Sequence, residues 1–120
     1  MLLAAIALGA AAAAAPDWRE FDRRQRGWVE SPAFYDAASL ERRGNRVRVW
    51  IFHEVALSGL PSPRMRDRVE ADCTTRETRI LEQYRDQGPL SDHSRRATPI
   101  AEVEDGSTSE ALLRAVCIAP

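Results

Sequence analysis

The chain predicts a small α+β domain, an antiparallel β-sheet followed by a C-terminal α-helix, and three observations lead there. Residues 47–55 and 65–78 alternate apolar and polar side chains with period two, the pattern of a half-buried strand. The last segment switches to helical spacing behind a capping box. Two cysteines, Cys73 and Cys117, follow an apolar leader, so they read as a staple formed outside the cytoplasm.

The leader comes first. Leu2, Leu3, Ile6 and Leu8 form its apolar heart, and alanines run from Ala10 to Ala15 before Pro16. The small residues supply an A-x-A cleavage pattern ending near Ala15, which makes residues 1–15 a signal peptide and 16–120 the domain. The run is too short and too alanine-rich for a membrane span, which needs roughly 20 apolar residues. No basic residue precedes Asp17, which keeps a helical or disordered extension as the alternative. Without a cysteine at the cleavage point, no lipid anchor is expected. The reading is an exported protein, periplasmic or secreted, with no stable membrane insertion.

Residues 18–21 alternate as a strand, and 27–29 do so less clearly. Ala33, Phe34 and Tyr35 make a short apolar piece, and 37–40 a turn or a single helical turn. Gly44-Asn45 signals a two-residue hairpin, because both residues tolerate positive φ. In the next strand Val47, Val49, Ile51, His53 and Val55 share one parity, and Arg46, Arg48, Trp50, Phe52 and Glu54 the other. Gly59, Pro61 and Pro63 mark a loop. Residues 65–78 read as one strand, with Met65, Val69, Ala71 and Cys73 on the buried side. Residues 79–86 read as another, in which Ile80 and Tyr84 compete with Leu81 for the core. Gly88-Pro89 ends it, 91–96 is polar and loop-like, and 98–103 is a last short strand.

Ser107 and Glu110 form the capping box, with Leu112, Leu113, Val116 and Cys117 on one helical stripe. About ten residues are too few for a stable free helix. A Cys73–Cys117 bond would pin this helix to the buried face of the sheet. Closing a loop of about 44 residues stabilises by on the order of 4 kcal/mol in the chain-entropy account. Two separate buried thiols are the alternative.

An ordered set of segments carries a family resemblance. Phe34-Tyr35-Asp36, Ser39-Leu40, the run from Arg43 through Gly44-Asn45 to Trp50, Ala71-Asp72-Cys73, Arg76 and Arg79, Tyr84 through Gly88, Gly106-Ser107 and Ala115-Val116-Cys117 follow one another in the required order. In these the chain resembles the bacterial surface-adhesin protein E family. The resemblance implies a compact antiparallel sheet whose C-terminal helix is disulfide-bonded across its concave side. It also implies a non-catalytic binding or envelope role. The chain departs from the family in two respects. It lacks the anchoring cysteine of the lipid-anchored adhesin that names the family, and Ile100 stands where many relatives carry tryptophan. No binding residues carry over position by position.

Composition narrows the function. Net charge is −1, so no global field recruits DNA or anionic membranes, and no nucleic-acid partner is expected. The 17 basic residues are all arginine. Arginine suits carboxylates and aromatic faces, although genome composition is the plainer explanation.

An enzyme is not expected. His53 reads as a core-edge histidine, and Glu54 points to the opposite face. Asp92-His93 lies in a polar loop and cannot alone close a metal site. Ser91 and Ser94 beside His93 lack any nucleophile-elbow context. No cofactor motif occurs, and no metal site is expected.

The candidate partner-binding residues are Arg46, Arg48, Trp50, Phe52, Arg66 and Arg68, which share the second face of the central strands with Glu70 and Asp72. Arginine interleaved with aromatics is the composition of interface hot spots. The plainer alternative is a solvated face of arginine–carboxylate pairs, its aromatics covered by the 59–63 loop. If functional, the face serves a protein partner or self-association. A periplasmic accessory or stress-related role is the second functional reading, and an uncharacterised hydrolase a distant third.

Overall fold

The computed structural model describes residues 15–54, 64–86 and 98–118. Most of the leader, Val55, the 59–63 loop, Gly88-Pro89 and the 91–96 segment with His93 lie outside the described residues. The elements are β1 (Trp18–Arg26), β2 (Val29–Asp36), a 3₁₀ turn (Ala37–Ser39), β3 (Glu41–Arg43), β4 (Arg46–Glu54), β5 (Arg64–Asp72), β6 (Glu77–Asp86), β7 (Ala101–Glu102) and α1 (Thr108–Val116). The strands form one curled antiparallel sheet in the order β1-β2-β4-β5-β6-β7, with β3 also on β4. The predicted α+β class holds.

Two hairpins behave as their turn residues dictate. Gly44 takes φ +58° between β3 and β4, and Gly27 takes φ +60° between β1 and β2. The second hairpin is longer than the alternation at 18–21 and 27–29 suggests. Its tip carries a fully exposed Trp28.

β2 and β3 lie on the same edge of β4, interrupted by the 3₁₀ turn. Asp36 caps that turn, its Oδ1 accepting the Ala38 N–H at 3.0 Å and the Asp17 N–H at 2.7 Å. Where the ladder is broken, the Trp50 N–H donates instead to Ser39 Oγ at 3.0 Å. A hydroxyl thus replaces a missing strand carbonyl, as a buried backbone donor requires.

The expected strand over 65–78 is two strands. Asp72 accepts the Thr74 and Thr75 N–H groups at 2.9 and 3.0 Å, and Arg76 takes φ +60°, which turns the chain between β5 and β6. The turn contains neither glycine nor proline, so the usual punctuation is absent; the aspartate side chain makes it. Cys73 consequently stands in a turn, partly buried, at the end of the core face. The predicted strand over 98–103 shrinks to Ala101–Glu102, with Val103 buried just after it.

A bulge settles the competition in β6. Val69 pairs with Ile80 but Arg68 pairs with Glu82, so Leu81 is the extra residue. Ile80 therefore shares the helix side with Val69, while Glu82 and Tyr84 fall on the opposite side.

The core lies between the sheet and α1. Val47, Val49, Ile51, Val69, Leu112 and Val116 form one buried cluster; Ala71, Val103 and Leu113 form a second. Cys117 packs against both, and the Cys73–Cys117 disulfide joins turn to helix end with Cα atoms 5.6 Å apart.

Polar contacts reinforce the latch. Ser107 Oγ accepts the Glu110 N–H at 3.1 Å, completing half of the capping box. The Glu110 carboxylate reaches one residue further back than expected, to the Gly106 N–H at 3.1 Å, and also holds Arg76 and Arg114. Arg42 donates to the Val116 carbonyl at 2.6 Å, a cation at the negative end of the helix. Arg24 of β1 reaches the Gly106 carbonyl at 2.7 Å, so the far edge of the sheet comes round to the start of α1.

Candidate functional site

The six residues singled out in the sequence share the face of the sheet opposite the helix. Strand register arranges them in rows. Phe34, Phe52, Arg66 and Tyr84 are successive cross-strand partners from β2 to β6. Trp50, Arg68 and Glu82 form the next row, then Arg48, Glu70 and Arg79, then Arg46, Asp72 and Glu77. Directly opposed side chains in an antiparallel pair are close enough to interact.

The rows divide into a charged end and an aromatic end. At the charged end Glu70 is buried, with its two carboxylate oxygens shared between Arg48 Nε at 2.8 Å and Arg79 Nη2 at 3.0 Å. Burial by itself would raise the Glu70 carboxyl, but the hydrogen bond from Arg48 and the charges of Arg79, Arg48 and Arg46 outweigh it and hold it below its ordinary value. Arg46 stands 4.0 Å from Asp72, whose carboxyl is held down by the Thr75 and Thr74 N–H groups. Arg68 stands 3.9 Å from Glu41. These arginines are engaged in ion pairs, as the plainer expectation for this face describes.

At the aromatic end Phe52 sits between Trp18 and Phe34, with ring centroids 5.8 and 6.1 Å away, and Trp50 meets Tyr84 at 5.7 Å. Tilted rings at such distances are favourable pairs. Pro16, Trp18, Asp36, Trp50, Arg66 and Tyr84 line a depression of about 360 Å³ here. Arg66 is exposed and has no carboxylate partner among the described residues, unlike Arg46, Arg48 and Arg68. Trp18, Phe34 and Tyr84 were not singled out from the sequence. They come from three other strands, and only pairing brings them to Trp50 and Phe52.

The helix side holds a second feature. Between the curled sheet and the start of α1 lies a cavity of about 530 Å³, walled by Phe21, Ile51, Val69 and Leu112 and also lined by His53 and Asp67. His53 is half-buried on the core parity, in agreement with its reading as a core-edge residue. Its Nε2 lies 3.4 Å from Asp67 Oδ2. Asp67 falls in the middle of the apolar parity of β5 and its side chain is only 5% exposed. The period-two pattern contained that signal, a charged residue at a core position between Met65 and Val69. Among the described residues no group of three or more metal-ligating side chains occurs.

Fold and surface together define a disulfide-latched sheet-and-helix module with one aromatic–arginine face. The chain belongs to the surface-adhesin protein E family, whose model matches residues 18–118. No curated protein and no solved structure matches the chain significantly. Family membership makes this an adhesin-like protein of the surface or exported class. Among the described residues no helix is long and apolar enough to cross a membrane. Ile100 is more than half exposed beside β7.

Proposed function

We propose that the protein is a non-catalytic binding protein of the cell envelope, exported by residues 1–15, that docks a protein partner on its aromatic–arginine face. The single observation that carries this reading is Arg66. It stands without a carboxylate partner among the described residues, in a depression walled by Trp18, Trp50 and Tyr84. An exposed guanidinium framed by rings matches a partner segment offering a carboxylate beside an apolar or aromatic anchor. Arg46, Arg48 and Arg68 stand beside carboxylates of their own. A catalytic role finds less support. A nucleophile needs a hydroxyl or thiol bonded to its base, and His53 has only Asp67 beside it among the described residues.

Crosslinking on intact cells, followed by fractionation and mass spectrometry, tests the reading. Wild type should yield a discrete envelope protein crosslinked near residues 50 and 66, and Arg66→Glu should lose it while keeping its unfolding temperature. A crosslink only to a second copy of the chain would make the face a self-association surface. Equal capture by wild type and Arg66→Glu would sink the proposal. Recovery exclusively with periplasmic chaperones or stress proteins would favour the accessory-domain reading.

A further inference from the structure

We infer that the cavity on the helix side of the sheet is a binding site for a small, mostly apolar molecule with a protonated amine head, and that Asp67 recognises the amine.

The cavity has the size and composition for such a guest. About 530 Å³ falls within the range of small-molecule sites, and Phe21, Ile51, Val69 and Leu112 supply apolar walls. A wholly apolar cavity would be no more than loose packing. This one contains a carboxylate that the fold does not satisfy. Asp67 is withdrawn from water, yet its Oδ1 has no hydrogen-bond partner among the described residues. Its Oδ2 has His53 Nε2 at 3.4 Å, beyond the usual range of a good N–H···O bond. An incompletely paired carboxylate in an apolar site is costly, and a positive donor is the group that relieves it most.

Among the described residues, other nearby charges do not relieve it. Arg24, at the edge of the same cavity, is held by Asp22 at 2.8 Å and by the Gly106 carbonyl. Arg79 is bound to Glu70. The remaining polar side chains of the lining are neutral hydroxyls, none of which bonds to Asp67 among the described residues. A metal ion is a poor alternative, because one carboxylate and one imidazole leave most coordination positions unfilled. An anionic guest would meet the carboxylate's repulsion. What remains is an N–H donor carrying positive charge on an apolar body. The terminal torsion of aspartate is broad, so a bound amine can draw Oδ1 toward the cavity without strain.

This site is separate from the aromatic–arginine face and lies on the other side of β4 and β5, so either can fail without the other.

The test titrates the full disulfide-bonded chain with three matched probes: phenethylamine, 2-phenylethanol and 3-phenylpropionate. Amide and imidazole chemical shifts are followed by NMR. Phenethylamine should shift Ile51, His53, Asp67 and Val69 saturably, with affinity at least about tenfold above the other two, the scale of one charge-assisted hydrogen bond. Asp67→Asn should remove that preference. His53→Leu should bind phenethylamine at least as well as wild type, because leucine has no donor and the amine then faces a carboxylate with one competitor fewer. That variant keeps the test decisive should Asp67→Asn not fold. Equal affinity for the alcohol and the amine would overturn the inference, leaving only apolar filling. So would loss of amine binding in a folded His53→Leu, or no saturable shift up to the solubility limit, in which case water suffices for Asp67.

Discussion

The two sides of β4 and β5 are built from the same eighteen residues, yet they are stabilised differently. On the helix side Val47, Val49, Val69 and Ala71 are sealed beneath Leu112, Leu113 and Val116. A side chain of that kind contributes about 1.5–3 kcal/mol on leaving water, and the disulfide locks the layer above it. On the opposite side most side chains, Arg66 apart, pair within the sheet, through ring contacts at one end and arginine–carboxylate pairs at the other. Such contacts are individually small where solvent reaches them. The helix side therefore determines whether the protein folds, and the other side can change its partners without unfolding it. The helix side is not uniform either. Beneath Leu113 and Val116 its side chains are buried, and beside Leu112 it carries the cavity lined by His53 and Asp67.

That division is broken most severely at the latch. Cys117→Ser should cost on the order of 4 kcal/mol in urea-unfolding free energy, if the chain-entropy account governs. A loss below about 1 kcal/mol would mean that packing, rather than the bond, holds α1 in place. Leu112→Ala comes next, at about 3 kcal/mol, for a buried leucine with neighbours on both layers.

Glu70→Gln probes the charged end of the other face by pH. The Glu70 carboxyl is held below its ordinary value, so its stabilisation is present above about pH 4.5 and fades as pH falls through the lower folded value. Glu70→Gln should be less stable than wild type at neutral pH, with the gap closing as pH drops below about 4.5. A gap independent of pH would show that the Arg48–Glu70–Arg79 cluster acts by shape alone. Asp72, held down by the Thr75 and Thr74 N–H groups, and Glu110, held down chiefly by the Gly106 N–H and Arg76, titrate in the same direction. The comparison is therefore made between variant and wild type, not from the wild-type curve alone.

The smallest expected effect on stability is at Arg66. Arg66→Glu should shift unfolding by no more than about 0.5 kcal/mol, as exposed substitutions do, while removing partner capture. A large loss of stability there would erase the contrast between the two sides.

Much of this architecture can be read locally. The parity of Val47, Val49 and Ile51, the hairpin at Gly44-Asn45, the Ser107 cap and the stripe of Leu112, Leu113 and Val116 follow from covalent geometry and from turns a few residues long. The partnership of Cys73 with Cys117 follows once both are placed on the core side. The face carrying Arg46, Arg48, Trp50, Phe52, Arg66 and Arg68 is legible for the same reason. Its division into paired arginines and an aromatic depression is not, because Trp18, Phe34, Tyr84 and Arg79 arrive from other strands. Nor is the split at Asp72 legible from punctuation, since a side-chain oxygen, not a glycine, turns the chain.

The chain by itself therefore determined most of the elements, the faces of β4 and α1 and the covalent link, since each depends on neighbours within a few residues or on a unique pair. Tertiary structure decided the rest. The bulge at Leu81 aimed Tyr84 outward, the break at Ser39 was mended by its hydroxyl, and the curl of the sheet left Asp67 buried beside an open cavity. Register and curvature are set by contacts far apart in sequence. They alone decide which charge is paired and which is left waiting for a ligand.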